Sequence, residues 1–387
     1  MLLISNREYW MAAAAFAAAF VLALGATPLA RRAAIRLNVL DVPKDERRVH
    51  TRPVPMLGGV AIALSFSLCA LIFSHRGQQL YGILVGGALM TLLGALDDKF
   101  DLPPVAKLIA QFAISAIPVL AGLRINFFTD VFHLFSGGGR IYLGVFSIPV
   151  TMIWIVALTN AVNFIDGLDG LACGVSLISG VSIFLIALKL GDANAAILIA
   201  CLCGACLGFL PYNINPARIF MGDAGALFLG YALSTMSITG LFKWYSFVSF
   251  GLPLLILGIP VFDIVFAFFR RLFHGKNPMR ADRGHVHQRL IDLGMTQRQI
   301  VAIFYAVSAT LGLLSVFIAE LPLARQLIAF VVAGAAFALS VVFFLRNRRS
   351  HREKEETARL EAEAKTGSSL PGGPADRPDG DGNGGGA

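Results

Sequence analysis

Eleven apolar runs of membrane-spanning length, spaced along almost the whole chain, leave it few ways to fold. They lie at roughly 9–30, 57–74, 80–96, 105–123, 141–158, 171–190, 194–211, 224–241, 247–269, 300–319 and 325–345. About twenty apolar residues cross a bilayer as a helix. Lipid offers no partner to an unpaired backbone group, so helices are selected over open sheet edges. Charged residues make up 14% of the chain, against about 25% in a soluble domain. The expected fold is all-α: a polytopic integral membrane protein of about eleven transmembrane helices.

An odd number of crossings puts the termini on opposite sides. The first run does not read as a cleaved leader. Arg7 is offset by Glu8 ahead of it, and Arg31, Arg32 and Arg36 follow it, whereas a secretory signal has the reverse polarity. A retained first span with its amino terminus outside makes 31–56, 97–104, 159–170, 212–223, 270–299 and the tail from 346 the inside segments. The first of these holds seven Lys or Arg, 270–299 another seven and the tail eight, while all outside segments together hold seven. The bias fits the positive-inside rule. The net charge of +8 therefore sets topology and implies no nucleic-acid partner.

Cys69, Cys173, Cys201, Cys203 and Cys206 lie in or beside apolar runs and read as small buried residues. Cys203-x-x-Cys206 has no second ligand pair near it. Beyond Leu345 the composition turns to mixed charge, and from Thr366 to Gly, Pro, Asp and Ser, too poor in apolar residues to fold. The expected division is a membrane-embedded catalytic domain over 1–345 and a cytoplasmic tail over 346–387, basic and then disordered.

Every polar cluster with the makings of chemistry falls on the inside. Asn160, Asn163, Asp166 and Asp169 recur every three residues between two apolar runs; on a helix, successive members are near neighbours. Gly167 and Gly170 let the backbone turn. Amide and carboxylate oxygens are the hard donors that Mg²⁺ takes. The bland alternative is a polar loop between spans. Asp97-Asp98 ends the third span. Adjacent carboxylates repel, so the pair implies a cation between them or one held protonated, unless both are simply solvated. Pro103-Pro104 starts the next span, with Lys107 and Gln111 one turn apart on it; Lys107 either snorkels to the interface or points at a phosphate. Asp223, after Gly222 in Phe220-Met221-Gly222-Asp223-Ala224-Gly225, stands at a helix start that favours an anion or its metal, or is a plain N-cap. Asn213, Asn215 and Arg218 precede it. Arg283-Gly284-His285-Val286-His287-Gln288-Arg289 is basic, and anion binding suits it better than zinc. Together these residues suit phosphoryl transfer between a soluble donor and a membrane-embedded acceptor.

These motifs resemble the polyprenyl-phosphate N-acetylhexosamine-1-phosphate transferases, the WecA/TagO-like glycosyltransferase 4 family, and more distantly MraY. The likeness covers about 38–299. It rests on Asp97-Asp98 with Leu102-Pro103-Pro104, Asn160-x-x-Asn163-x-x-Asp166-Gly167-Leu168-Asp169-Gly170, Phe220 to Gly225, and His285-x-His287. Asp41-Val42-Pro43, His50 and Gly58-Gly59 look like the family's first inside loop.

The resemblance implies transfer of GlcNAc-1-phosphate from UDP-GlcNAc to polyprenyl (undecaprenyl or decaprenyl) phosphate, at the cytoplasmic face of the bacterial inner membrane, initiating a cell-envelope polysaccharide. It implies Mg²⁺ (Mn²⁺ as substitute) at Asn163 and Asp223, and uracil held by Asp169 and stacked on Phe220. Lys107 would contact phosphate; His285, His287 and Arg289 would hold the pyrophosphate and sugar, with Asn213 also on the substrate-binding side. Asp97, Asp98 and Asp166 are the catalytic candidates, Asp97 or Asp98 helping to deprotonate or position the lipid phosphate. Expected partners are a UDP-sugar, polyprenyl phosphate and membrane lipid, with a homodimer as a candidate assembly. Gln288 stands where many relatives have a third His, and MraY's longer His run is missing, which disfavours muramoyl-pentapeptide. Another UDP-N-acetylhexosamine stays open. A lipid-linked-sugar transporter would want ionisable residues near mid-membrane, and here nearly all lie at one face, Asp263 excepted. An inactive scaffold would be expected to have lost Asp98, Asn163 or Asp223.

Overall fold

A computed structural model describes residues 5–42, 53–129, 140–240 and 294–319, with single positions 254, 258, 290, 291, 321, 325 and 328. The chain divides into two units, Met1–Gln326 and Leu327–Ala387, and everything below concerns the first. The runs at 247–269 and 325–345, apart from single positions, and the tail over 346–387 lie outside the described residues.

Helices dominate, as the apolar runs require: α1 (Asn6–Arg36), α2 (Gly58–Phe73), α3 (Gln78–Phe100), α4 (Pro104–Leu120), α5 (Ser147–Ile165), α6 (Leu171–Leu190), α7 (Ala193–Asn213), α8 (Gly222–Gly240) and α9 (Gln297–Ile318). Among the described residues, six helices are long and apolar enough to cross a membrane, and α2 and α4 are shorter apolar helices. The protein is thus an all-α, multi-pass membrane protein. Two short antiparallel ribbons were not expected: Leu40–Asp41 with Val54–Pro55, and Phe127–Thr129 with Arg140–Tyr142.

Local chemistry sets the helix ends. Ser5 and Glu8 form a reciprocal capping box at α1, as do Thr296 and Gln299 at α9, each satisfying two orphan backbone donors. Pro104 opens α4, where its missing N–H costs nothing. One boundary departs from the apolar pattern. The run from 141 begins with a strand and a short 3₁₀ turn, and α5 starts only at Ser147 but continues to Ile165. Half of the expected 159–170 loop is therefore helix. Asn160 can stay helical because its Nδ2 donates to Val156 O (2.8 Å) and to Gln111 Oε1 on α4 (2.6 Å).

Packing centres on α8. Every residue from Gly222 to Gly240 except Asp223 is buried, against α2, α3, α5, α6 and α7. A helix covered by protein all round need not be strongly apolar. Ser234 and Thr235 donate to Tyr231 O, Ser237 to Ser234 O and Thr239 to Thr235 O, so their hydroxyls are satisfied within the helix. On α1, the buried stripe Ala12, Ala15, Ala19, Ala23 and Thr27 presents small side chains to its neighbours, chiefly α7, the usual means of close helix approach in lipid.

Candidate active site

Four helices bring charged or amide side chains together at one end of the bundle. Lys107, on the first turn of α4, ion-pairs with Asp97 of α3 (Nζ to Oδ2 2.6 Å) and with Asp223 of α8. Asn163 of α5 donates from Nδ2 to Asp223 Oδ1 (2.8 Å). The other oxygen of Asp97 accepts from Leu102 N (2.8 Å), which pins the turn between α3 and α4. That turn passes through Asp101 at φ 52, a left-handed conformation that Asp tolerates better than most residues.

The adjacent carboxylates do not share a cation. Asp98 turns away from Asp97 and accepts from the first amides of α8: Asp223 N to Oδ1 (2.8 Å) and Ala224 N to Oδ2 (3.2 Å). A carboxylate across two orphan N–H groups at a helix start is favourable both as a hydrogen-bond acceptor and against the helix dipole. The shared cation instead bridges Asp97 and Asp223, and it is Lys107. Close approach makes this arrangement feasible. A Cβ on Gly94 would run into the Asp223–Ala224 backbone, and Gly222, at φ +68, has Asp98 Oδ2 2.5 Å from where a Cβ would sit.

A second tier of contacts fixes the neighbouring loops. Phe220 N donates to Pro55 O (2.8 Å), and Gly58 N to Phe220 O (3.0 Å) and Gly59 N to Met221 O (2.9 Å) tie the start of α2 to the same strip. Phe220 is half-buried beside this seam. Asp169 Oδ2 accepts from Asn215 Nδ2 and Ala217 N, both at 3.0 Å. Asn213 is buried, with its amide spanning two backbone groups: Gly170 N donates to its Oδ1 and its Nδ2 donates to Ile219 O, both at 3.1 Å. Both ends of the amide are thus engaged inside the protein, bracing the loop around Gly170 against the strip before α8. Asp166 caps α5 at its carboxyl end and is half-buried. Lost hydration, then the negative charges of Asp223, Asp98 and Asp169, raise its carboxyl well above the ordinary range.

The structure thus gathers Asp97, Asp98, Lys107, Asn163 and Asp223 in one connected set, with Asp166, Asp169 and Phe220 on adjoining loops. His285, His287 and Arg289 lie outside the described residues, as does Asp263. Four further residues hold the site together, and of these only Gln111 was noted in the sequence. Gln111 pairs with Asn160. On α9, Gln297 Oε1 accepts from Asn215 Nδ2 (2.6 Å), Arg298 donates to Asn215 O (3.1 Å) and Tyr305 Oη to Gly170 O (2.6 Å). The visible signal was a tyrosine within an apolar run; buried, it wants a partner for its hydroxyl.

Residues 80–241, which carry most of this cluster, match the family model described as glycosyl transferase family 4. A Bacillus subtilis protein named as a probable undecaprenyl-phosphate N-acetylglucosaminyl 1-phosphate transferase is 38% identical over 76% of this chain and 81% of its own. The chain belongs to glycosyl transferase family 4. Two further relatives agree with that placement. A decaprenyl-phosphate N-acetylglucosaminephosphotransferase of Mycolicibacterium smegmatis is 33% identical over 72% of this chain and 75% of its own. An undecaprenyl-phosphate alpha-N-acetylglucosaminyl 1-phosphate transferase of Yersinia pestis is 27% identical over 85% and 94%. As a member of glycosyl transferase family 4, this membrane protein is an enzyme, a transferase.

The donor set also bears on a metal. Among the described residues no group of three or more His, Cys, Asp or Glu side chains forms a ready metal cage. Mg²⁺ does not need one: it is usually held by one or two carboxylates together with substrate phosphates. Asp223, Asp97 and the amide oxygen of Asn163 are hard donors within one hydrogen-bonded set, so the residues fit that ion.

Proposed function

We propose that the protein transfers N-acetylglucosamine-1-phosphate from UDP-GlcNAc to a polyprenyl phosphate, giving polyprenyl-diphosphate-GlcNAc and UMP. An oxygen of the lipid phosphate attacks the sugar-bearing phosphorus of UDP-GlcNAc, the bond to the bridging oxygen breaks, and UMP leaves with that oxygen. The observation that carries this reading is the Lys107–Asp97–Asp223–Asn163 cluster, in a chain whose relatives are named for this transfer.

Asp223 and Asn163, with Asp97 beside them, would hold Mg²⁺ or Mn²⁺. The metal, when bound, supplies charge neutralisation on the pyrophosphate. Lys107 binds phosphate oxygens from the end of α4. Asp98 keeps the first amides of α8, and with them Asp223, in place. Asp97 positions the acceptor phosphate, and Asp166 lies on the adjoining turn as a further acid. Phe220 stacks on uracil and Asp169 hydrogen-bonds it; His285, His287 and Arg289 take the pyrophosphate and sugar. The bundle crosses the bacterial inner membrane eleven times, amino terminus outside, with the cluster at the cytoplasmic face. The distribution of Lys and Arg supports that orientation.

Purified protein incubated with Mg²⁺, polyprenyl phosphate and a panel of UDP-sugars should release UMP with UDP-GlcNAc, and EDTA should stop it. UMP release with a different sugar alone would reassign the donor, and none with any UDP-sugar would refute the reading. In intact cells, cysteines placed in 212–223 should resist membrane-impermeant labels that reach 124–140. The reverse pattern would invert the orientation.

A further inference from the structure

Lys107 sits where its charge conflicts with the ion that the same carboxylates would bind. Its ammonium pairs with both Asp97 and Asp223. The three side chains are largely withdrawn from solvent, with 15%, 11% and 32% exposure respectively, so their mutual attraction is only partly screened. Asn163 adds a hydrogen bond to the remaining oxygen of Asp223. Asp98 is committed elsewhere, to the amides of Asp223 and Ala224. The two carboxylates on offer to a metal therefore already share one internal cation.

We propose that Lys107 is the resting counter-cation of the acidic cluster, so that a divalent cation binds well only together with a pyrophosphate that takes the lysine over. A bare divalent ion entering beside Lys107 meets a fixed positive charge and carboxylates that are already paired. A pyrophosphate changes that balance, because its oxygens offer the flexible ammonium a new anion and leave Asp97 and Asp223 to the metal. Lysine suits the part: a compact charge on a four-carbon stem can change partners without moving the helix. Metal and nucleotide must then raise each other's affinity by the same factor. The consequence is an enzyme that does not fill its acidic cluster with free Mg²⁺ between turnovers. The inference rests on the metal-dependent reading above.

Mn²⁺ titration of the purified full-length protein in lipid nanodiscs, read by the electron paramagnetic resonance of free Mn²⁺, tests it without any turnover. UDP serves as the pyrophosphate probe. Wild type should bind Mn²⁺ weakly alone and more tightly with UDP, within the 5–150-fold range typical of such coupling, about tenfold or more. Lys107→Gln should bind Mn²⁺ alone at least about tenfold more tightly than wild type and lose most of the UDP effect, and Lys107→Arg should restore the weak metal-only binding. Equal Mn²⁺ affinity of the wild type with and without UDP would overturn the proposal even if no variant folds. So would a Lys107→Gln protein that binds Mn²⁺ alone no better than wild type. Should Mn²⁺ bind to none of the proteins with or without UDP, the metal-dependent reading itself falls, and the inference with it.

Discussion

The two ends of the helix bundle use polar residues in opposite ways. At the end formed by the close of α2, α4 and α6 and the opening of α3 and α7, contacts run to backbone groups or join uncharged side chains. Asn194 accepts from Ser74 Oγ (2.6 Å) and His75 N (3.0 Å), Gln79 donates to Gly122 O (3.1 Å) and Asp192 caps Ala195 N (2.9 Å). Each satisfies a helix end that would otherwise leave backbone groups unpaired. At the other end, Asp97, Lys107, Asn163 and Asp223 bond side chain to side chain across four helices. Gathering charge in a partly buried place costs the fold more than capping does. A polar residue at a membrane boundary thus needs only a helix end to explain it, whereas converging charge from distant segments asks for a ligand.

The sharpest way to break this contrast is to remove one member from each end. Asp223→Ala should lower turnover by more than about a hundredfold, since loss of outer-sphere partners alone costs 10–100-fold at metal sites. Asn194→Ala should leave kcat/KM unchanged while lowering stability by about 1–3 kcal/mol for the stranded donors. Steady-state kinetics and thermal unfolding in one detergent read both, and near-wild-type turnover of Asp223→Ala would erase the distinction. Aromatic residues give a second pair. Phe220→Ala should raise KM for UDP-GlcNAc by about one to two powers of ten, because base stacking is worth about 1–3 kcal/mol. Phe127, whose ring lies 5.9 Å from that of Tyr142 at the far end, should on replacement by Ala cost about 0.5–1.5 kcal/mol of stability for that ring pair, with lost burial added, and leave KM alone.

One substitution type sharpens the comparison further. Asp192→Asn should be nearly silent, because Asn caps a helix as well as Asp. Asp98→Asn turns an N–H toward an amide N–H of α8, and should cost about 1–3 kcal/mol with a fall in turnover; equal tolerance at both positions would deny Asp98 its hold on α8. A pH slope is expected from Asp166. Its folded carboxyl keeps a proton that the unfolded chain releases near about 4, so folding takes up a proton. Stability therefore falls as pH rises from about 4 toward the raised folded value. Asp166→Asn mimics the protonated acid and should flatten that slope in thermal melts across pH.

Much of this is legible in the sequence. Apolar length marked the helices that are described, and the motifs of α3, α5 and α8, read as lying on one side, do meet at one end of the bundle. The partners within the cluster were not legible. Lys107 and Asp223 are 116 residues apart, and no spacing rule connects a lysine on one helix with a carboxylate on another. Asp97-Asp98 looked like a pair because neighbours in sequence repel, yet successive helical residues point about 100° apart, and the two side chains leave in different directions. The bracing by Asn213 was hidden as well, because its partners Gly170 N and Ile219 O lie 43 and 6 residues away along the chain. The extension of α5 through Asn160 was hidden because the Gln111 amide that supports it lies on α4.

Because α8 touches protein on every side, the depth of Asp223 is fixed by five neighbouring helices and not by lipid. Helices at the rim, such as α1 with Trp10 and Leu29 exposed, have apolar side chains for a bilayer to cover, and such helices tilt when bilayer thickness changes. The centre is insulated from that adjustment. Turnover should therefore vary little between nanodiscs of short-chain and long-chain lipids, a tolerance of use to an enzyme whose acceptor tail perturbs the bilayer around it.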